Sequence, residues 1–473
     1  MSPITPWVLA CTSTSTLPRA SATAAMTRSS TISFSSGFIS AGSIVRPATA
    51  DAASLESVDA DRLEAFDASL ALLEARVTDA ETAAERLLDR RLDPTAAAMA
   101  AVVLTYASGR SGRFERAIWA ADLAETLAAE HPEALADDPT APWSGRCLAL
   151  ADSGALEACE AHLDRGPPGS TSLDRAHWLA WRELIMARVF GGRGRMAAGC
   201  FHARTAALGF RDHEDRALER VAWAGVARLA AQRGVADHEA MGYADAIDPG
   251  PFRLLDCEIG WSRAWVDIAD GRLSDGVAAL RTAAAEATAS GQSAIASAIV
   301  HDVVRVEPTA ESAGALRVAL EGVEGDVALA RDRHARAILA GDAGSFVEAA
   351  EAFAASGAGL LAAEVFAQGA ANARAQGDQR QGRLLEVRSR DALSGGEHAA
   401  TPALRLLSEP VALTRRVREV AGLAARGLTS PEIAERLFLS VRTVNNHLQR
   451  TYGKLGVESR SSLAEALRLV APE

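Results

Sequence analysis

Three amide side chains lie close together near the C-terminus of this 473-residue chain: Asn445, Asn446 and Gln449. An amide donates and accepts at once, which allows a bidentate pair with adenine in the major groove of DNA. Cationic side chains suited to phosphates flank them: Arg442, Arg450 and Lys454. Three hydroxyl side chains could add phosphate contacts at helix starts: Thr429, Ser440 and Thr443. The spacing predicts contact with double-stranded DNA, and the alternative is an ordinary polar helix face.

Capping residues predict the helices that position these side chains. A first helix follows Thr414 and ends at Gly427. A second follows Thr429, which can form a capping box with Glu432 three residues later. Apolar side chains at helical spacing supply the buried faces of both: Val417, Val420, Ala421, Ala424, Ile433, Ala434 and Leu437.

The third predicted helix carries the amides and begins after Ser440. Its inward side is predicted to consist of Val441, Val444, Leu448, Tyr452 and Leu455. A fourth helix is predicted to open at Ser459, with Leu463, Ala466 and Leu467 facing inward. Two short helices joined by a tight turn, the second with a polar outer face, describe a helix-turn-helix.

This segment closely resembles the LuxR-type (GerE-like) DNA-binding domain. The matching residues are Leu413-Thr414, Arg416, Glu419-Val420, Gly427, Glu432-Ile433-Ala434, Leu437, Ser440, Thr443-Val444, His447, Lys454-Leu455-Gly456-Val457 and Arg460. Sigma factors share part of this pattern, but the trailing Lys-Leu-Gly-Val and Arg460 favour LuxR. The resemblance implies a transcriptional regulator whose third helix enters the major groove.

Two positions depart from the family pattern. Val417 stands where the family usually has Glu, so the first helix lacks a capping box, which costs about 1 kcal/mol. A basic residue is frequent where Asn445 stands, so the target sequence of relatives does not transfer to this chain.

Composition separates this segment from the remainder. Hydrophobic residues make up 48% of the chain and aromatic residues only 5%. The alanine-rich sequence favours helix, so we expect an all-α protein. The net charge is −12, yet residues 411–473 carry +4 and the remainder −16. A basic unit on an acidic body predicts local phosphate contact with little non-specific binding elsewhere.

Residues 56–394 contain amphipathic helices and a repeated glycine anchor. The anchors are 37 to 43 residues apart: Gly112, Gly154, Gly194, Gly234, Gly271, Gly314 and Gly357. The pattern resembles the inter-helix turn of a tetratricopeptide repeat and predicts a helical solenoid; the alternative is an irregular bundle. Six tryptophans could line its concave surface, but packing is the preferred interpretation: Trp119, Trp178, Trp181, Trp223, Trp261 and Trp265.

Several classes of site find no support. Lys454 is the only lysine and lies outside any G-x-x-x-x-G-K-[ST] pattern, which excludes an ordinary P-loop ATPase within this sequence. The five cysteines are scattered, which indicates thiols in a reducing cytosol. Asp212-His213-Glu214-Asp215 is interpreted as a solvated helix start, and no catalytic set stands out. We therefore expect no metal, no cofactor and no enzymatic activity.

The domain boundaries follow from composition. Residues 1–55 are rich in Ser and Thr and are predicted to be a disordered leader, with Met26 an alternative start. Residues 395–410 are predicted to be a linker, and 411–473 the DNA-binding domain. The sequence contains no run of about 20 apolar residues, so it predicts no membrane span.

The body is similar, more weakly, to the helical region of large ATP-dependent LuxR regulators, and we expect this chain to begin after the position of their ATPase module. The sequence thus predicts a cytoplasmic transcription factor that binds DNA as a homodimer and contacts RNA polymerase. Its body would respond to an unidentified protein or small-molecule effector. The alternative is a helical-repeat interaction scaffold with a subordinate DNA-binding domain.

Overall fold

The computed structural model describes residues 52–136, 138–167, 174–393, 399–407 and 415–455, together with Arg460 and Leu463. Within these residues every regular element is helical, as the sequence predicts. The body, residues 52–407, contains α1 Ala52–Leu73, α2 Val77–Leu88, α3 Pro94–Ser111, α4 Phe114–Glu130, α5 Ala141–Ser153, α6 Leu156–Arg165, α7 Asp174–Gly192, α8 Met196–Asp212, α9 Arg216–Gln232, α10 His238–Ala246, α11 Asp256–Ala269, α12 Leu273–Ala289, α13 Ser293–Val306, α14 Ala310–Ala319, α15 Asp326–Ala340, α16 Ala343–Ala355, α17 Gly359–Ala375 and α18 Gln379–Leu393.

The predicted glycine anchors lie in the turns between helices. Gly112 ends α3 with a left-handed φ of 91°, and α4 begins two residues later at Phe114. The same left-handed turn recurs at Gly154, Gly194, Gly234, Gly271 and Gly357. Glycine suits this position because a Cβ atom would be strained there. The prediction is wrong for Gly314, which lies inside α14.

Consecutive helices pack against one another and form a superhelix, as expected of stacked repeats. The superhelix then closes on itself. Glu324 donates its backbone N–H to the carbonyl of Gly112 at 3.0 Å, and Ala400 donates to Gln232 at 2.9 Å. At Gly154 an added Cβ would lie 2.2 Å from Val327. We call α1–α10 the first superhelical turn and α11–α18 the second. Glycines of the first turn admit side chains of the second, and the concave surface becomes an internal cavity that stays partly open to solvent.

The tryptophans fill different positions in this arrangement. Trp181, Trp223 and Trp265 are buried packing residues, which agrees with the preferred interpretation. Trp119, by contrast, is 45% exposed. Trp261 lines the internal cavity. Trp261 is thus the tryptophan of this set that lines the concave surface.

Three other regions refine the sequence predictions. Asp215 caps α9 by accepting from the N–H of Leu218, but it is buried rather than solvated. Part of the predicted linker, residues 399–407, packs on the body, where Leu404 joins the main core.

In the described part of the chain no cluster of His, Cys, Asp or Glu is placed to hold a metal ion. No helix there is long and apolar enough to cross a bilayer. The predicted leader lies largely outside the described residues.

The C-terminal segment contributes three described helices: α19 Arg415–Ala425, α20 Ser430–Leu437 and α21 Val441–Leu455. They form a separate apolar core that includes Leu463. Thr414, Ser459, Ala466 and Leu467 lie outside the described residues, so the predicted first cap and most of the fourth helix do too.

Candidate DNA-binding interface

The start of α20 is fixed by the predicted capping box. The carboxylate of Glu432 accepts the backbone N–H of Thr429 at 2.6 Å and its hydroxyl at 2.7 Å. The N–H of Glu432 donates in return to Thr429 Oγ1 at 3.5 Å. These bonds lower the pKa of Glu432 because they stabilise its charged form. The helix therefore begins at a defined residue, which sets the turn that follows.

The turn between α20 and α21 passes through Phe438, a non-glycine residue at a left-handed φ of 53°. Ser440 then caps α21 by accepting the N–H of Thr443 at 3.0 Å. Two helices joined by this three-residue turn form the predicted helix-turn-helix.

One face of α21 is held by the apolar core. Val444 and Leu448 are buried against Val420, Ile433 and Leu463. The prediction that Val441 faces inward is wrong, because its side chain is 42% exposed. Val441 occupies the first position of the helix, where the turn from Phe438 carries it beyond the core. The side chain of Leu455 lies outside the described residues.

The opposite face of α21 presents the predicted base-reading residues. Asn445, Asn446 and Gln449 are all exposed. Arg442 and Arg450 are exposed beside them. Because the buried face fixes the rotation of the helix about its axis, the amides and guanidiniums share one orientation toward solvent. The side chain of Lys454 lies outside the described residues, although its backbone belongs to α21.

The predicted phosphate-contacting hydroxyls already hold structural hydrogen bonds. Thr429 Oγ1 is bonded within the capping box. Ser440 Oγ and Thr443 Oγ1 lie 2.7 Å apart and bond to each other. Each hydroxyl retains lone pairs but has only one proton to donate. The first turns of α20 and α21 also leave backbone N–H groups without an intrahelical partner, and such groups can donate to a phosphate.

Two arginines have positioning roles that the sequence did not assign. Arg416 on α19 donates to the carbonyl of Leu437 at the end of α20 and also pairs with Glu419 at 3.0 Å. Arg460 donates to Ser430 Oγ at 3.1 Å, which ties the residues after α21 to the start of α20. Both matched the family pattern, but spacing alone does not show which helix an arginine reaches.

A comparison with known proteins identifies this arrangement. The model of the family described as bacterial regulatory proteins, luxR family, matches residues 411–467. The chain is 46% identical over 63 residues to the spore germination protein GerE of Bacillus subtilis, which covers 84% of GerE and 13% of this chain. The chain belongs to the luxR family of bacterial regulatory proteins.

The LuxR-type domain also matches larger proteins. It is similar to the DNA-binding transcriptional activator DevR/DosR of Mycobacterium tuberculosis, at 40% identity over 93 residues, covering 20% of this chain and 42% of that protein. The chain spans only 7% of the length of three mycobacterial proteins named as HTH-type transcriptional regulators, at 48% identity over 61 residues. These matches confirm the resemblance of the C-terminal segment.

Proposed function

We propose that this protein is a sequence-specific DNA-binding regulator of transcription. The observation that supports it is the exposed face of α21, where three amides and two arginines lie opposite the buried Val444 and Leu448. In the proposed complex Asn445, Asn446 and Gln449 contact base edges. Arg442, Arg450, Lys454 and the helix starts at Thr429, Ser440 and Thr443 contact phosphates.

The remaining features of the proposal concern partners. One such domain buries little DNA, so two copies would bind adjacent half-sites as a homodimer. The regulator would act in the cytoplasm on RNA polymerase, and the body would bind the effector. The body's negative charge disfavours contact with DNA, which restricts binding to the basic C-terminal domain.

The closed superhelix argues against a scaffold as the main function. Peptide-binding solenoids use an open concave groove. Here Val327 and Leu360 of the second superhelical turn lie against Gly154 and Gly194 of the first. An internal cavity of about 200 Å³ stands where a groove would be needed.

A competition gel-shift series tests the proposal on the full chain. Genomic fragments should compete over random DNA, and Asn445→Ala or Gln449→Ala should reduce that preference by about 1–3 kcal/mol. Arg450→Ala and Lys454→Ala should weaken all sequences alike and lower the salt slope by about one. Arg336→Ala is the matched control, because Arg336 is an exposed arginine on the body.

Two outcomes of this series would contradict the proposal. The first is equal competition by genomic and random DNA. The second is a change in sequence preference, without a change in salt slope, for Arg450→Ala or Lys454→Ala.

A further inference from the structure

The internal cavity of the body has an apolar side and a charged side. Its apolar residues come from both superhelical turns and include Leu184, Leu229, Ile295 and Leu360. Its volume of about 200 Å³ far exceeds the roughly 10–15 Å³ that one water requires. It approaches the roughly 300 Å³ at which small-molecule sites begin. The cavity therefore suits a metabolite rather than a single ion or a peptide.

The first carboxylate in the charged side is fully engaged. Glu258 accepts from Arg188 at 2.6 Å and from Arg110 at 2.7 Å. Although burial alone would raise its pKa, these arginines hold the pKa of Glu258 well below the ordinary value. Asp152 is 3.4 Å from Arg188 and belongs to the same cluster.

The second carboxylate is engaged as well. Asp302 accepts from Arg305 at 2.6 Å and from the indole N–H groups of Trp261 and Trp265, each at 2.6 Å. Arg305 also forms two hydrogen bonds to the buried carboxylate of Glu364. The acidic groups around the cavity are thus paired with Arg110, Arg188 and Arg305.

Two further arginines line the cavity without an ion pair to any described residue: Arg228 on α9 and Arg331 on α15. The guanidinium of Arg228 lies 3.9 Å from the ring centroid of Trp261, and its buried Nη1 has no hydrogen-bond partner. Arg331 has only a long contact of 3.4 Å to Ser297, and its buried Nε has none. Burial lowers the pKa of Arg228, which the nearby charges of Glu258 and Asp302 offset only in part, and it lowers the pKa of Arg331 to about 10.

Both side chains are half-buried, and a charge largely removed from water without a partner is costly, so a bound counter-charge would offset that cost. We propose that the cavity binds a small organic anion whose carboxylate or phosphate group is held by Arg228 and Arg331. Guanidinium groups match both headgroups because they donate two parallel N–H bonds. The apolar residues opposite would contact the remainder of the ligand.

The position of the two arginines gives the ligand a structural effect. Arg228 is on α9 of the first superhelical turn and Arg331 is on α15 of the second. An anion between them would join the two turns, so binding should stabilise the closed superhelix. A role of this site in controlling DNA binding rests on the proposed function, whereas anion binding itself does not.

Thermal unfolding of the full chain tests the site at constant ionic strength. The probes are sodium benzoate and sodium phosphate, with benzamide as the neutral analogue and chloride as the balancing salt. We expect a saturable rise in Tm with benzoate for a carboxylate site, or with phosphate for a phosphate site. Arg228→Gln and Arg331→Gln should weaken binding about tenfold or more by calorimetry.

The matched control is Arg336→Gln, an exposed arginine on the same helix as Arg331, which should bind as the unaltered protein does. Emission from Trp261 supplies a readout that needs neither variant to fold, since a bound anion would lie beside the Arg228–Trp261 pair. Its saturable change with anion should disappear in Trp261→Phe.

The proposal is overturned if benzoate and phosphate both leave the Tm and the Trp261 emission unchanged. It is also overturned if benzamide acts as benzoate does, or if both arginine variants bind as tightly as the control. No DNA is present in these experiments, so their failure would leave the proposed regulatory function standing.

Discussion

Replacing Glu258 with glutamine isolates the buried charge cluster on which the closed body depends. The carboxylate of Glu258 is 5% exposed and accepts hydrogen bonds from Arg110 at 2.7 Å and from Arg188 at 2.6 Å. Glutamine has nearly the same shape, so the substitution removes the charge and leaves the volume unchanged. Its NH₂ group would also face a guanidinium, where neither partner can accept.

The expected loss of unfolding free energy depends on which groups still compensate the charges of Arg110 and Arg188. Removing one partner of a buried ion pair costs about 3–5 kcal/mol. Asp152 still lies 3.4 Å from Arg188, so we expect the lower part of that range, about 3–4 kcal/mol. An unfolding entropy of about 2.1 cal/mol/K per residue gives about 0.7 kcal/mol/K for the body, so Tm should fall by about 4–6 °C.

Circular dichroism on heating and in urea measures both quantities. Glu351→Gln is the matched control, because Glu351 pairs with Arg388 at 2.7 Å but is 58% exposed. Exposed pairs contribute about 0–1 kcal/mol, so this variant should lower Tm by less than about 1.5 °C. Equal losses in the two variants would refute the conclusion that the Glu258 cluster is a buried, mutually dependent network.

Three further predictions concern other elements. Thr429→Ala removes the cap of α20 and should destabilise the C-terminal domain by about 1 kcal/mol in urea; Ser345→Ala in the body should leave that domain unchanged. Burial lowers the pKa of His334 to about 4, so the unfolded state takes up its proton first as pH falls below about 6.5. Stability should therefore decrease from pH 7 to pH 5, and His334→Gln should reduce that decrease by up to about 2 kcal/mol; an unchanged pH slope would contradict the assignment. A Cβ on Gly276 would lie 2.5 Å from Ile268 and 2.9 Å from the carbonyl of Ala264, so Gly276→Ala should destabilise the protein by about 1–3 kcal/mol. At Gly242 an added Cβ would meet open space, so Gly242→Ala should stabilise the protein by up to about 1 kcal/mol. Equal effects at the two glycines would show that this close approach is relaxed.

Local signals in the sequence were sufficient for many of the elements. The capping box of Thr429 and Glu432 and the cap at Ser440 depend on residues three apart, so the sequence states them directly. The glycine turns were predictable for a similar reason, since a left-handed residue is required between packed helices. Gly314 failed because glycine is also tolerated inside a helix, and pattern alone does not separate the two cases.

The closure of the superhelix could not be predicted from the sequence. It brings Gly112 to Glu324 and Gly154 to Val327, contacts between residues that lie far apart in the chain. The same closure decides that Arg228 and Arg331 share a cavity and that the acidic groups pair elsewhere. Repeat patterns describe how one helix pair stacks on the next, whereas closure depends on the small rotation accumulated over many repeats.

Selection from a random pool of double-stranded DNA by the full chain tests most directly whether this protein recognises a sequence through α21. We predict enrichment of one motif, with two half-sites if a dimer binds, and a changed motif for the variant carrying Asn445→Ala and Gln449→Ala. No enrichment over the input pool, or the same motif from that variant, would contradict the account.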